Sequence, residues 1–235
     1  MRILVTRPEP DAGRQAEMLT RLGHEPVLAP LLRVAFAPDV RLDLGGADAL
    51  VATSRNGLRA LKDHPQRHEA AKLPLFAVGE ATAKLARELG FAGVTTGPGT
   101  GEALAKLILE RVKPGATLLH LAGDTVAFDL KSALEAQGLH VRQAVLYGTI
   151  PATALPQDAV ASIGAGKLDG VILMSPRTAT TFADLIRRHG LEGAAPRLIC
   201  YCLSQAVAKA VEPLIVAARP REEDVLALIT AGAAS

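Results

Sequence analysis

The sequence predicts an α/β fold of two similar lobes, each a parallel sheet flanked by helices. Three observations lead to this prediction. The chain has 235 residues, of which 49% are hydrophobic, so it is longer than a typical single domain and can bury two cores. Short apolar runs alternate with segments of helical period, which is typical of strand–helix units on a parallel sheet. Several of these segments also recur later in the chain with similar spacing.

Each predicted strand is a short apolar run of the kind that a parallel sheet buries on both faces. The predicted strands are 2–6, 49–53, 75–78, 117–121, 170–174, 197–202 and 214–216. Apolar residues at helical spacing follow the strands, most clearly at 12–22, 104–111 and, near the C-terminus, 225–229. The order of these elements predicts repeated strand–helix–strand units.

An internal repeat accounts for much of this pattern. Leu4, Leu19 and Gly23 return 115 positions later as Leu119, Leu134 and Gly138. Asp48 and Ser54 return 121 positions later as Asp169 and Ser175, and segment 76–83 resembles 199–206 at an offset of 123. Any two α/β segments share some such matches. The retained order and the nearly constant offset nevertheless favour one α/β unit used twice.

Two extended segments bounded by proline or ending in it lie between the repeated blocks, at 30–38 and 145–151. They match each other in the repeat, and we interpret both as linkers rather than core strands. If the chain crosses between lobes at each linker, residues 1–33 and 151–235 form one discontinuous lobe. Residues 38–145 then form the inserted lobe.

Composition excludes several classes of protein. The net charge is only +2 and aromatic residues make up 3% of the chain, so a nucleic-acid partner is not expected. The apolar runs are far shorter than the roughly 20 residues that cross a bilayer, so no membrane association is expected. The N-terminus has no signal-peptide pattern, which predicts a cytoplasmic protein. Cys200 and Cys202 alternate within an apolar run and are interpreted as buried small hydrophobic residues in a reducing compartment.

Loops at the carboxyl ends of parallel strands present backbone amides and helix N-termini to anions, so we look there for the function. Several of these loops combine a hydroxyl with a guanidinium or a glycine, which suits a carboxylate or a phosphate. The same serines and threonines are also preferred helix caps, and one residue can do both. The candidate binding residues are Arg7, Thr53, Ser54, Arg55, Gly79, Thr82, Gly123, Ser175 and Gln205.

Other motifs have plainer interpretations. The glycine-rich segment 97–101 lacks the pattern of a nucleotide-binding loop and is interpreted as a loop with a helix cap. His64 and His68 lack the order of a zinc protease and are assigned to a solvated helix face. His120 lies within an apolar strand and is interpreted as a satisfied core histidine.

Tyr147 is the candidate catalytic residue. It is one of only two tyrosines, and its partner in the repeat is the aliphatic Leu32. A phenol can donate a proton to a leaving oxygen while its ring packs against an organic substrate. The alternative is an aromatic side chain that braces the crossing between the lobes.

Taken together, these segments resemble the uroporphyrinogen-III synthase family over nearly the whole chain. The similar segments are 5–8, 22–27, 30–32, 53–54, 77–83 and Tyr147. The resemblance implies two α/β lobes joined by a two-stranded linker, with the active site in a cleft. It implies a cyclising lyase that converts hydroxymethylbilane to uroporphyrinogen III with loss of water, inversion of ring D through a spiro intermediate and closure of the macrocycle. It implies no cofactor and no metal.

The resemblance also assigns roles to residues. Tyr147 matches a tyrosine proposed to assist departure of the hydroxyl, and Thr82 matches a threonine that follows a glycine turn. Arg7, Thr53, Ser54 and Ser175 match positions that line the cleft. The sequence departs from the family at Gln205, where threonine is common, and at Ala122, where arginine is common.

The substrate has an acetate and a propionate on each ring, so backbone amides and hydroxyls are expected to hold it on a chain of low net charge. A monomer is expected. One alternative is a non-enzymatic two-lobed module that binds an anionic small molecule such as a tetrapyrrole. Another is an α/β enzyme that binds a nucleotide at 97–101.

Overall fold

The computed structural model describes residues 1–209, 211, 214–216 and 229 of the chain. The chain forms two compact units. The first consists of Met1–Arg33 and Ile150–Ser235, and the second of Val34–Thr149. Each unit contains a sheet of mainly parallel strands, with residues 32–36 added antiparallel at one edge of the second sheet, so the predicted α/β fold class is confirmed.

Strands and helices alternate along much of the chain, as the sequence predicts. They are β1 (Arg2–Val5), α1 (Asp11–Arg21), β2 (Glu25–Leu28), β3 (Leu32–Phe36), β4 (Ala49–Ala52), α2 (Arg55–Leu61), α3 (Arg67–Ala70), β5 (Leu75–Ala77), α4 (Glu80–Glu88), β6 (Val94–Thr96), α5 (Gly101–Arg111), β7 (Thr117–Gly123), α6 (Leu130–Glu135), β8 (His140–Pro151), α7 (Gln157–Gly164), β9 (Gly170–Leu173), α8 (Pro176–Arg188), a 3₁₀ turn (Ala195–Arg197), β10 (Ile199–Cys202), α9 (Gln205–Ala208) and β11 (Leu214–Val216). Every predicted strand is present, and β2, β3, β6 and β8 are additional. The predicted helix at 225–229 lies, apart from Ile229, outside the described residues.

The two sheets have corresponding strand orders. The first unit has the order β11-β10-β9-β1-β2, and the second has β6-β5-β4-β7-β8, with β3 added beside β8. The registers correspond as well. Ile3 pairs with Gly170 in the first unit, and Leu118, 115 positions after Ile3, pairs with Ala49 in the second.

Equivalent hydrogen bonds hold the strand ends in both sheets. The Asp48 carboxylate accepts the backbone N–H of Thr117 at 2.8 Å. In the first unit the Asp169 carboxylate accepts the backbone N–H of Arg2 at 2.5 Å. The presence of the same hydrogen bond at repeat-related positions supports duplication of a single unit.

One sequence match in the repeat is wrong by two residues. Strand pairing aligns Leu50 with Leu75 in the second sheet and Val171 with Cys200 in the first. The offset for this strand is therefore 125 rather than 123. The helices that follow it agree, since α4 begins at Glu80 and α9 begins 125 positions later at Gln205. Thr82 thus corresponds to Val207, not to Gln205, which corresponds to Glu80.

The segments 30–38 and 145–151, predicted as linkers, are extended and contain the two points at which the chain passes between the units. Residues 32–36 form β3, and residues 140–151 form β8, which pairs with β7. Ala144 and Leu146 are buried because β8 packs against the core of the second unit. The chain passes from one unit to the other within these two strands.

Apolar side chains cover both faces of each sheet. Two clusters, one containing Leu4 and one containing Ile3, flank the first sheet, and two more, with Leu50 and Val51, flank the second. Cys200 and Cys202 are buried free thiols, as predicted, and burial raises their pKa values to about 12 and about 11. Among the described helices, none has both the length and the apolar character needed to span a membrane.

Candidate active site in the second unit

A pocket of ≈ 560 Å³ lies at the carboxyl end of the sheet in the second unit. Its size is within the roughly 300–1,000 Å³ range of small-molecule sites. Thr53, Ser54 and Tyr147 are among the hydroxyl-bearing residues of the lining, and Val78 and Phe128 are among the apolar ones. The lining residues are Thr53, Ser54, Val78, Gly99, Thr100, Gly101, Glu102, Thr125, Val126, Ala127, Phe128 and Tyr147.

Tyr147 reaches this pocket because of a local irregularity in β8. The pairing of β7 with β8 shifts between Ala122 and Gly123, so that Gly123 pairs with Tyr147. A Cβ on Gly123 would lie 2.6 Å from Cζ of the tyrosine ring. Gly123 is therefore the residue that leaves space for the ring, which is a packing role rather than a direct polar contact.

Ser54 connects the tyrosine to the first turn of α2. Its hydroxyl accepts the backbone N–H of Asn56 at 3.1 Å, so it caps the helix, and it also hydrogen-bonds Tyr147. Burial raises the pKa of Tyr147. The Ser54 hydrogen bond opposes part of that rise in pKa, and the Asp124 carboxylate adds to it. The phenol is therefore neutral at pH 7 and keeps its proton for donation.

Thr53 contacts the buried His120, which in turn lies beside the exposed Gln143. Its Oγ1 lies 2.9 Å from Nε2 of His120, and Nδ1 of that histidine lies 3.4 Å from Nε2 of Gln143. His120 is 1% exposed, and burial lowers its pKa to about 4. The imidazole is therefore neutral and satisfied in the core, as predicted, with a pocket hydroxyl as one of its partners.

The segment 97–101 forms part of the pocket rim and ends in a helix cap. The Thr100 side chain accepts the backbone N–H of Ala103 at 3.2 Å, which confirms the predicted cap of α5. Gly97 approaches the carbonyl oxygens of Ala77 and Val78 so closely that a Cβ would lie 2.9 Å from each. Glu102 brings a carboxylate to the first turn of α5, which disfavours a phosphate there.

Three further candidates lie near the same sheet edge without lining the pocket as Thr53 and Ser54 do. Gly79 is the N-cap of α4, and Thr82 is buried in the first turn of that helix. Arg55 is the first residue of α2 and is partly buried. The second unit thus brings Thr53, Ser54, Gly123 and Tyr147 together and places Arg55, Gly79 and Thr82 on the adjoining helix starts.

The remaining candidates belong to the first unit. Arg7 lies 3.6 Å from the Asp11 carboxylate. Ser175 caps α8 by accepting the backbone N–H of Thr178 at 3.1 Å. Gln205 is the exposed first residue of α9.

The duplicated sheets allow each polar group of the second unit to be compared with its counterpart in the first. Thr53, Thr82, His120 and Gln143 correspond by strand register to Met174, Val207, Val5 and Leu28, and Tyr147 matches Leu32 in the sequence repeat. All five counterparts are apolar, so the same backbone arrangement forms without these polar groups. Their presence in the second unit is therefore best explained by chemistry rather than by folding.

Sequence reasoning missed Gln143 and the apolar wall formed by Val78 and Phe128. Gln143 lies in β8, which was not assigned as a strand there, so its pairing with His120 was not apparent. One signal was available in the repeat, because a histidine and a glutamine stand where the other copy has Val5 and Leu28.

The fold and the pocket define a class of protein: a duplicated parallel α/β chain in which one copy has a hydroxyl-lined small-molecule site. A family model described as Uroporphyrinogen-III synthase HemD matches residues 14–227. The chain belongs to the uroporphyrinogen-III synthase family, as the sequence resemblance predicted.

Similar proteins support this assignment. Porphyrin biosynthesis protein HemD of Ruminiclostridium josui is 26% identical over 223 residues, which cover 90% of this chain and 44% of that protein. The chain thus spans less than half the length of that relative. The crystal structure of uroporphyrinogen-III synthetase from Helicobacter pylori has a TM-score of 0.67 at 20% identity and covers 98% of both chains. A mutant uroporphyrinogen III synthase from Thermus thermophilus has a TM-score of 0.60 at 19% identity and covers 100% of this chain and 99% of that one. These two structures show the shared fold.

Proposed function

We propose that this chain converts hydroxymethylbilane to uroporphyrinogen III, as a cyclising lyase. The observation that supports this most directly is the neutral Tyr147 phenol, held beside Ser54 in a pocket of small-molecule size. Membership of the uroporphyrinogen-III synthase family supports the choice of substrate.

The reaction needs a proton donor at its first step. The terminal hydroxyl of the linear substrate leaves as water when the C–O bond breaks, the pyrrole nitrogen supplies the electron pair, and the leaving oxygen takes up a proton. Tyr147 supplies that proton in our proposal, because it lines the pocket and its phenol is protonated at pH 7. The pyrrole N–H loses its proton as the azafulvene forms, which balances the proton given to the leaving water. The substituted α-carbon of ring D then attacks the azafulvene to give the spiro intermediate, and ring D is inverted before the macrocycle closes.

The remaining work is positioning. The pyrroles react readily once the azafulvene exists, and direct closure gives the symmetric type I isomer. The site must therefore hold the flexible chain in the spiro geometry, and orientation alone can supply on the order of 7 kcal/mol. We assign the substrate carboxylates to Thr53, Ser54 and the amides of the neighbouring helix starts in the second unit. Arg7, Ser175 and Gln205 are proposed carboxylate contacts on the first unit, and Arg55, Gly79 and Thr82 on the second.

Isomer analysis tests the proposal. The protein is coupled to enzymatic generation of hydroxymethylbilane from porphobilinogen, the products are oxidised, and the type I and type III isomers are separated. Predominant type III is expected. Type I alone, at the rate without protein, would contradict the proposed activity and would favour a binding module without turnover.

We also propose that the protein acts as a monomer in the cytoplasm. The buried, unoxidised pair Cys200 and Cys202 supports a reducing compartment. Sedimentation of the purified protein tests the oligomeric state, and fractionation of its native cells tests the location.

A further inference from the structure

Three side chains of the second unit form a hydrogen-bonded chain that ends at the pocket. Gln143 lies in β8, His120 lies next to it in β7, and Thr53 follows β4. The distances are 3.4 Å from Gln143 Nε2 to His120 Nδ1 and 2.9 Å from His120 Nε2 to Thr53 Oγ1. The strands that hold or precede the three groups are paired neighbours in the order β8-β7-β4. The sheet therefore sets the spacing of the three residues in this hydrogen-bonded chain.

The donors and acceptors in this hydrogen-bonded chain follow from the orientation of the Gln143 amide, whose nitrogen faces Nδ1 of His120. An amide nitrogen only donates, so Nδ1 of His120 accepts from Gln143. A neutral imidazole with an accepting Nδ1 has its proton on Nε2, and that N–H donates to Thr53 Oγ1. Thr53 Oγ1 then accepts a hydrogen bond from His120. The hydroxyl proton of Thr53 is available to an acceptor in the pocket that this residue lines.

We propose that His120 is a positioning residue that makes the Thr53 hydroxyl a hydrogen-bond donor toward an anionic or leaving oxygen of the bound substrate. The identity of that substrate depends on the function proposed above, whereas the direction of the hydrogen bonds does not. His120 acts through Thr53, since it is itself buried beneath the pocket.

The first unit shows that the fold does not require this chain. Its counterparts of His120, Gln143 and Thr53 are Val5, Leu28 and Met174. Val5 is fully buried among apolar side chains of the equivalent cluster, beside its strand neighbour Ile172. A structural explanation would expect the two copies to be alike at these positions, and they differ in all three.

The electrostatics of the site agree with this assignment. Burial lowers the pKa of His120 to about 4, so the ring stays neutral at the pH of the cell and keeps one donor and one acceptor. A charged ring would donate from both nitrogens and would lose the hydrogen bond from Gln143.

The first test measures the tautomer directly, without any assay of activity. Nitrogen-15 chemical shifts and long-range proton–nitrogen correlations of the His120 ring are recorded in the whole protein at pH 7. We expect a protonated Nε2 and an unprotonated Nδ1, and we expect the Nε2–H signal to shift in Thr53→Val. A protonated Nδ1 would overturn the proposal.

The second test is kinetic coupling. His120→Val copies the residue of the other unit and is therefore expected to preserve the fold, which circular dichroism and thermal melting verify. It should lower kcat/KM for type III formation by on the order of 10- to 100-fold, the effect of losing an oriented donor. Thr53→Val should cause a similar loss. In the Thr53→Val background, His120→Val should cause little further loss, because both variants remove one shared interaction.

Two comparisons complete the design. Thr53→Ser retains a hydroxyl and should retain most of the rate, as well as the sensitivity to His120→Val. Additive losses in the double variant would overturn the positioning role. If the wild-type protein forms only the type I isomer, the proposed function fails, and the tautomer measurement alone then decides whether the hydrogen-bond direction is as proposed.

Discussion

The phenol oxygen of Tyr147 donates the proton in the proposed reaction. In Tyr147→Phe the ring can still pack against Gly123, so we expect the fold and the melting temperature to change little. The rate of type III formation should fall on the order of 100-fold, the usual contribution of a general acid. The measurement is kcat in the coupled assay with separation of the isomers.

The chain provides a matched control for this change. Tyr201 is the other tyrosine, is fully buried in the first unit and directs its hydroxyl toward the Met1 sulfur at 3.9 Å. Tyr201→Phe should leave kcat unchanged. Equal rates for wild type and Tyr147→Phe would remove the phenol from the catalytic step.

His120 should make stability depend on pH. Its ordinary pKa of 6.5 applies in the unfolded chain, and burial lowers the pKa to about 4 in the folded protein. As pH falls from about 6.5 to about 4, the His120 ring becomes protonated in the unfolded chain but stays neutral in the folded protein. The free energy of unfolding therefore decreases over this pH range. The shift corresponds to on the order of 3 kcal/mol.

Denaturant unfolding at pH 7, 5.5 and 4.5 measures this effect. His120→Val has no ring to protonate, so its free energy of unfolding should fall less with decreasing pH than that of the wild type. Parallel pH curves for the two proteins would show that His120 does not titrate as its burial implies.

Helix caps show how one local element serves both folding and function. Ser54 caps α2 and also bonds Tyr147, whereas Asp129 caps α6 by accepting the backbone N–H of Ser132 at 3.0 Å. Ser54→Ala should cost about 1 kcal/mol of stability through the lost cap. It should also lower kcat several-fold, because the phenol loses a partner that fixes its orientation.

Asp129→Ala is the control for the cap effect. It removes an exposed cap of the same unit, so the melting temperature should fall while kcat stays at the wild-type value. A fall in kcat of similar size in both variants would show that loss of a cap, rather than loss of the Tyr147 contact, lowers the rate.

Strands that are continuous apolar runs could be predicted from the sequence, and those with mixed patterns could not. Residues 170–173 are all buried, and their composition was sufficient to predict β9. In β8 the buried residues are Val141, Ala144 and Leu146, so a period of two does not continue through the strand. Its pairing with β7 also shifts where Gly123 pairs with Tyr147. β2 begins Glu25–Pro26, a pair that disfavours a strand on propensity alone.

Parts of the site were predictable for a related reason. Thr53 and Ser54 follow a clear strand, so their place at the carboxyl end of the sheet followed from the strand itself. The contact between His120 and Gln143 depends on the register of β7 against β8, which no local pattern specifies. The match between Thr82 and Gln205 depended on the registers of β5 against β4 and of β10 against β9. The sequence comparison missed these registers and aligned the two residues with an error of two positions.

On the scale of the whole molecule, the duplication combines segments from both halves of the chain in each unit. The first sheet takes β1 and β2 from the first half and β9, β10 and β11 from the second. The second sheet takes β3, β4, β5 and β6 from the first half and β7 and β8 from the second. Each half of the chain therefore provides complementary parts of both sheets.

This arrangement predicts that the two halves fold only together. Fragments 1–115 and 116–235 are separated at the exposed turn 113–115, so the cut itself disturbs little. Alone, each fragment would leave Leu50 or Leu119, which pack in one core, without its partner. Co-expressed fragments should form a stable complex with the circular dichroism spectrum of the intact chain.

A fragment of residues 34–149 is the matched comparison, since it has nearly the same length as 1–115. It contains every strand of the second sheet except the first two residues of β3 and the last two of β8, so it should unfold cooperatively on its own. Cooperative unfolding of isolated 1–115 would contradict the proposed dependence of each half on the other. So would a failure of the two halves to associate, because the parallel pairs β1–β9 and β4–β7 join residues from different fragments.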